Sequence, residues 1–253
     1  MAFDQYAKYY DLLYRDKDYA GEAGYIDSLI QKYSGGSAGK LLELGCGTGK
    51  HASLLADKGY SVYGIDMSEG MLKEAQNRAA GRNDQRLRFA QSDIRAFKTD
   101  ETYDAVISFF HVISYLNTDD DFYKVMDNVH TSLKTGGVFL FDTWYGPAVL
   151  YQRPELRVKR LEDEQTKVTR IAESTLLEND NICQVHYDLF VEDKAEKQIY
   201  EIKEIHSMRY YFISDIKQMA EECGFELIDS FEFMTGRKLG IQTWGSCFIL
   251  RSI

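Results

Sequence analysis

Apolar residues first recur at helical spacing in Tyr25, Ile26, Leu29 and Ile30, one stripe of a helix predicted over 19–33, after another over 3–14. Gly35-Gly36 ends that region. From there the pattern alternates. Short apolar runs at 40–45, 60–65, 86–91, 103–109 and 138–142 read as strands, and 49–58, 69–79 and 120–133 read as helices. In the last helix, Phe122, Val125, Met126, Val129 and Leu133 line one face, and Gly136-Gly137 marks a turn. Near-continuous apolar strands separated by amphipathic helices predict a parallel sheet covered on both faces.

After Pro154 the alternation breaks. Residues 157–212 hold strand-like runs without helices between them, clearest where Val185, Tyr187, Leu189 and Val191 alternate with polar neighbours. Three or four antiparallel strands are expected there. A helix at 214–223, with Ile216, Met219, Ala220 and Cys223 on one face, and strands near 225–233 and 244–251 then resume the core. The chain divides into a helical arm and core (1–150), an inserted antiparallel sheet (151–212) and the rest of the core (213–253).

The most informative stretch is Leu41-Leu-Glu-Leu-Gly-Cys-Gly-Thr-Gly-Lys-His51. Gly45, Gly47 and Gly49 follow a strand and precede a helix, so backbone can approach a ligand with no Cβ in the way. The spacing is G-x-G-x-G, and neither a dinucleotide loop nor a phosphate loop with G-K-[ST] is present. Glu43, just ahead, would repel phosphate and attract an ammonium. Asp66 ends the second strand, where an acid can take hydrogen bonds from ribose hydroxyls. Asp93 ends the third.

Composition narrows the class. The chain has 253 residues, a net charge of −10 and a pI near 5.1, which argues against an electrostatic grip on nucleic acid or an anionic membrane. Cys46, Cys183, Cys223 and Cys247 show no C-x-x-C spacing, so free thiols and a cytoplasmic setting are expected. No leader-like segment, membrane-length apolar run or metal-ligand spacing is visible, and metal-independent chemistry is expected.

The glycine loop with Glu43, Asp66 and Asp93 resembles the cofactor site of class I S-adenosylmethionine (SAM) methyltransferases. The resemblance implies an α/β, Rossmann-like sheet of seven strands closed by a final hairpin, with an N-terminal helical lid and an inserted antiparallel sheet. It implies SAM as cofactor, with Cys46 and Met67 beside the loop and the ribose acid. Asp93 would face the adenine amino group, and Ile94 would pack on the ring. Tyr10-Asp-Leu-Leu-Tyr14, Lys17-Asp-Tyr-Ala-Gly-Glu-Ala23, Asp142-Thr-Trp144-Tyr145 and Val168-Thr-Arg170 further resemble the nucleotide-linked amino-sugar N-methyltransferases. That likeness implies lid residues Tyr10 and Tyr19 with Phe110 at the cofactor, and an acceptor pocket of Tyr6, Tyr14, Trp144, Tyr145 and Arg170. It implies transfer to the amine of a nucleotide-linked sugar, with no nucleic acid or membrane partner, and allows a homodimer.

One segment departs from that family. Its Phe-…-Gly-His-Leu after strand four reads here Phe110-His-Val-Ile-Ser-Tyr115-Leu116, so Tyr115 and His111 become the candidate catalytic side chains. Each either faces the acceptor or packs among its neighbours. Arg209, Arg237 and Lys238 are further candidate diphosphate partners, and His186 and His206 read as strand residues of the insert. Other acceptors, oxygen included, and a silent SAM-binding domain remain alternatives. An NAD-dependent oxidoreductase is disfavoured by the loop spacing.

Overall fold

The computed structural model describes residues 7–253. Helices α1 (Ala7–Leu13) and α2 (Tyr19–Tyr33) precede β1 (Lys40–Leu44). The alternation continues through α3 (Lys50–Asp57), β2 (Ser61–Asp66), α4 (Glu69–Ala80), β3 (Leu87–Gln91), β4 (Tyr103–Ser108), α5 (Asp119–Ser132) and β5 (Leu133–Tyr145). A short α6 (Gly146–Gln152) leads to β6 (Arg157–Glu162), β7 (Thr166–Leu177), β8 (Ile182–Asp193) and β9 (Gln198–Tyr211). Then come α7 (Ile213–Glu222), β10 (Phe225–Glu232) and β11 (Gly245–Ser252). The start of the helix expected over 3–14 lies outside the described residues.

Seven strands make the core, in the order β3-β2-β1-β4-β5-β11-β10, parallel through β5 and antiparallel at β11 and β10. This is the doubly wound sheet with a closing hairpin that the sequence predicts. Successive strand residues enter opposite layers, because side chains alternate across a sheet. Leu42, Phe139 and Phe141 pack with Phe122, Val125 and Met219 of α5 and α7. Leu41, Leu140 and Ile249 pack on the other face with Ile26, Ile30 and Leu55 of α2 and α3. Each such buried side chain contributes roughly 1.5–3 kcal/mol of transfer free energy. Local signals set the helix starts: Asp18 accepts the Gly21 amide at 2.8 Å, Ser68 that of Met71 at 3.3 Å and Thr118 that of Asp121 at 3.1 Å.

β5 runs longer than the apolar run at 138–142, for two reasons. Its C-terminal end is paired with β11 as far as Trp144 and with β9 at Trp144 and Tyr145. Its N-terminal end takes the Gly136-Gly137 turn as an irregularity in register against β4, between Tyr103 and Ala105. α6 has no counterpart in the sequence reading, although Pro147 in its first turn is a start signal.

The insert is four antiparallel strands in the order β9-β8-β7-β6, joined to the core where β9 lies parallel to the end of β5. Its register puts Arg157, Val168, Arg170, Val185, Leu189, Ile202 and His206 on one face. Leu13 of α1 is fully buried against that face, among Leu161, Val168, Leu189, Val191 and Ile202. The lid helix is therefore seated on the insert. Its polar side faces the glycine loop.

Candidate active site

A cavity of about 620 Å³ lies between the C-terminal ends of β1, β2, β4 and β5, the lid helices and the inner face of the insert. Open α/β sheets leave such a crevice where strand order reverses, here between β1 and β4. Its floor is the glycine loop. Gly45 sits at φ +68°, and a Cβ there would stand 2.5 Å from Val112 Cγ1, so the turn admits no side chain. Gly45 and Cys46 both donate to the Ile65 carbonyl, at 2.8 and 3.0 Å, which ties the loop to β2. Gly49, at φ +73°, does not line the cavity; its missing Cβ makes room for Phe89 and Ala75 where α3 meets the sheet.

Glu43 is 3% exposed, and its Oε2 has no hydrogen-bond partner among the described residues. Burial, reinforced by the charge of Asp66, pushes its carboxyl up to about 8, against a hydrogen bond from the Ala52 backbone. A buried carboxyl with an unused oxygen on a cavity wall fits a cationic ligand group. Asp66 accepts the Gly47 amide at Oδ2 and the Ser68 amide at Oδ1, both at 2.9 Å, and burial raises its pKa. Met67, Asp93 and Ile94 continue the wall. Asp93 is engaged with its neighbour Arg95, whose Nη2 donates at 2.7 Å and whose amide donates at 2.9 Å, and this holds the carboxyl below its ordinary value.

The lid closes this half. Tyr10, Tyr14 and Tyr19 line the cavity. Phe110 meets Tyr14 edge-on at 5.0 Å and Tyr10 at 6.4 Å, and the Lys17 ammonium stands 3.9 Å from the Phe110 ring. Lys17 pairs with Glu22, and His51 Nε2 lies 2.8 Å from that same carboxylate. Burial lowers the Lys17 pKa, opposed by its Glu22 partner. Tyr6 lies outside the described residues.

Phe110 and His111 both take left-handed backbone, φ 71° and 62°, directly after β4. Such positions cost about 1–3 kcal/mol and persist where the surroundings enforce them. Here the His111 amide donates to Asp142 Oδ1 at 2.7 Å. His111 Nδ1 lies 2.9 Å from Asp142 Oδ2 without forming a hydrogen bond to it. Tyr115 lines the cavity from the 3-10 turn Val112–Tyr115.

The far half is walled by the insert and the end of β5. Trp144, Arg157, Arg170, Tyr187, His206 and Met208 line it. Arg170 Nη1 donates to the Tyr14 hydroxyl at 3.3 Å, and the guanidinium lies 5.1 Å from the Tyr187 ring. Tyr145 does not reach the cavity; next to Trp144 on a strand, it points to the opposite face and is buried there. Arg209 also lies outside, held by Asp119 at 2.6 Å, as do Arg237 and Lys238. His206 corrects the sequence reading most: it is 3% exposed and on the cavity wall, whereas His186 falls on the other face of the insert. Arg157, Arg95, Lys50 and His51 line the cavity without a sequence pattern that marks them, apart from the place of Lys50 and His51 directly after the glycine loop.

Residues 41–137 match the family of the methyltransferase domain. The chain carries a methyltransferase domain. YqeM of Bacillus subtilis (strain 168), named only as a methyltransferase, is 28% identical over 228 residues, 90% of this chain and 87% of that one. The dTDP-3-amino-3,4,6-trideoxy-alpha-D-glucopyranose N,N-dimethyltransferase of Streptomyces venezuelae is 32% identical over 144 residues, 56% of this chain and 58% of its own length. Among solved structures, an S-adenosylmethionine-dependent methyltransferase from Clostridium acetobutylicum superposes with a TM-score of 0.81 over 98% of both chains, at 24% identity. That last likeness is one of fold, insert included.

The cofactor of this methyltransferase domain is S-adenosylmethionine, and the residues present fit it. Glu43 has an unused carboxyl oxygen on the cavity wall, the Gly45–Gly47 backbone leaves room for close approach, and Asp66 lines the same wall. Among the described residues no helix is long and apolar enough to cross a membrane, and no cluster of three or more metal-binding side chains occurs.

Proposed function

We propose that this methyltransferase domain transfers methyl groups from S-adenosylmethionine to the amine of a nucleotide-linked sugar. The observation that carries this reading is the continuity of one cavity from the Glu43–Asp66 wall to an inner face of the insert bearing Arg157 and Arg170. In an otherwise acidic chain, two arginines on that face suit a diphosphate, which guanidinium groups bind in forked geometry. The Streptomyces venezuelae relative is named for a dTDP-amino sugar acceptor, which supports the same class.

SAM supplies an electrophilic methyl group when bound. The chain supplies placement: holding a nucleophile in line with a reacting carbon can lower the barrier by roughly 7–11 kcal/mol. Glu43 and Asp66 anchor the donor, Tyr10, Tyr14, Tyr19 and Phe110 exclude water, and Trp144, Tyr187 and Arg170 orient the acceptor. Residues 151–212 select the acceptor in this reading. The four free cysteines suit a cytoplasmic setting. Exposed Phe190 and Ile205 on the outer face of the insert are consistent with a homodimer, checked by solution mass.

The test is mass spectrometry of products formed from methyl-labelled SAM and a panel of dTDP-linked amino and deoxy sugars. Label on a sugar amine is expected. SAM binding with no transfer to any sugar would sink the acceptor class and leave the cofactor.

A further inference from the structure

Three polar side chains at the acceptor end of the cavity form a continuous chain. Tyr115 Oη lies 2.7 Å from His206 Nδ1, and His206 Nε2 lies 2.9 Å from Glu204 Oε2. The side chains of His206 and Glu204 are only 3% and 8% exposed. Residues two apart on a strand share a face, so Glu204 and His206 both point inward from β9, while Tyr115 arrives from the turn after β4.

With Glu204 ionised its carboxylate only accepts, which puts the proton on His206 Nε2, leaves Nδ1 as the acceptor and makes Tyr115 the donor to it. Around the ring, Tyr187 stands edge-on at 4.8 Å, and Arg170 lies over Tyr187. Burial, with the charges of Tyr187, Tyr14 and Glu204, pushes the Tyr115 phenol well above its ordinary range. A free phenolate at Tyr115 is therefore disfavoured, and the hydrogen bond to His206 gives its proton somewhere to go as another arrives.

We propose that Tyr115, His206 and Glu204 are a proton relay that removes the proton of the attacking group during methyl transfer. The proposal rests on the cavity being a methyltransferase site. Tyr115 touches the acceptor and is the catalytic residue; His206 and Glu204 act through it. The acceptor nitrogen forms its bond to the methyl carbon as the carbon–sulfur bond breaks with its electron pair passing to sulfur. The nitrogen's proton goes to Tyr115 Oη, and the phenol's own proton goes to His206 Nδ1. The positive charge lost at sulfur reappears on the imidazolium, beside Glu204. An amine methylated once leaves this step neutral, ready to attack again after the relay has passed its proton to solvent.

Two measurements test this. The first follows kcat, KM and SAM Kd from pH 6 to 9.5 for the intact protein, with the dTDP-linked amino sugar that accepts label, in Tyr115→Phe, His206→Gln and Glu204→Gln. General acid–base groups contribute typically 10²–10⁴-fold. Tyr115→Phe and His206→Gln are expected to lower kcat about 100-fold at pH 7, with KM and SAM Kd within about 3-fold, and the deficit should narrow at high pH as the relay becomes dispensable. Glu204→Gln should cost about 10-fold. Wild-type kcat and pH profile in these variants, or a pH-independent loss accompanied by a raised KM, would overturn the relay. The second reads the His206 ring by nitrogen-15 NMR in the SAM-loaded protein and needs no acceptor. A bare Nδ1 in wild type that gains its proton in Glu204→Gln is the expected result; a protonated Nδ1 in wild type overturns the relay. If no sugar accepts label, the acceptor class fails separately from this readout.

Discussion

Asp11 of the lid helix and Arg78 of α4, 67 residues apart, are joined by Nη2 to Oδ2 at 2.5 Å. The same carboxylate accepts from Thr48 Oγ1 at 3.0 Å and lies 3.1 Å from Lys50 Nζ, so one lid residue holds both the glycine loop and the helix behind it. On its other side the lid is held by Leu13 in the insert and by Lys159, which donates to the Leu13 carbonyl at 2.6 Å. Asp11→Ala should therefore weaken SAM binding about 10-fold by calorimetry with little change in melting temperature. Hydrogen exchange of α1 should slow when SAM is added to wild type. Unchanged exchange would show that the lid does not respond to the cofactor.

Glu43 makes binding and stability respond oppositely to pH. Its ordinary carboxyl value is 4.5, and in the fold it is raised to about 8. Between those limits the folded chain keeps a proton that the unfolded chain has lost, so stability falls as pH rises through the window. Glu43→Gln should melt progressively higher than wild type as pH goes from 5 to 8, by several degrees at the upper end. SAM affinity should do the reverse. Wild type should bind more tightly as pH approaches 8 and Glu43 ionises, while Glu43→Gln should bind about 10-fold more weakly at pH 8 and lose that slope. Calorimetric titration at four pH values checks both.

Gly49→Ala tests the packing of the loop rather than its chemistry. The added Cβ would stand 2.6 Å from Phe89 Cζ and 3.0 Å from the Ala75 Cβ, at a φ of +73°. Overpacking of this kind costs about 1–3 kcal/mol, and left-handed backbone adds to it. Urea unfolding should show that loss with an unchanged slope.

Arg157→Ala addresses the diphosphate. Arg157 is exposed and lines the cavity on the side of the insert, the proposed acceptor end. Its loss should raise KM for a dTDP-linked acceptor about 10-fold, leave SAM Kd within 2-fold, and weaken inhibition by free dTDP to the same degree. Equal KM values for wild type and variant would remove this residue from the acceptor site.

The parts of this site that were legible in the sequence are the local ones. Glu43, Gly45, Gly47 and Asp66 reach the cavity wall through loop geometry and strand ends, and those follow from a few neighbouring residues. Trp144 and Tyr145 do not share the cavity wall, because adjacent strand residues face opposite ways. In the sequence His206 reads as an ordinary strand residue. Its partner Tyr115 is 91 residues away, and nothing in the spacing of either residue reports the other.

The sequence by itself determined the doubly wound sheet, the cofactor loop and the break after Pro154, because hydrophobic period and glycine placement are imposed by the backbone over short range. The tertiary structure alone decided which face of the insert looks inward. A strand's two faces are equivalent until register against β5 and contact with Leu13 bury one of them. That choice put Arg157, Arg170 and His206 on the cavity wall, and it turned Arg209 toward Asp119 and His186 away. Register is a long-range property, set by pairing across the sheet rather than by any segment's own pattern.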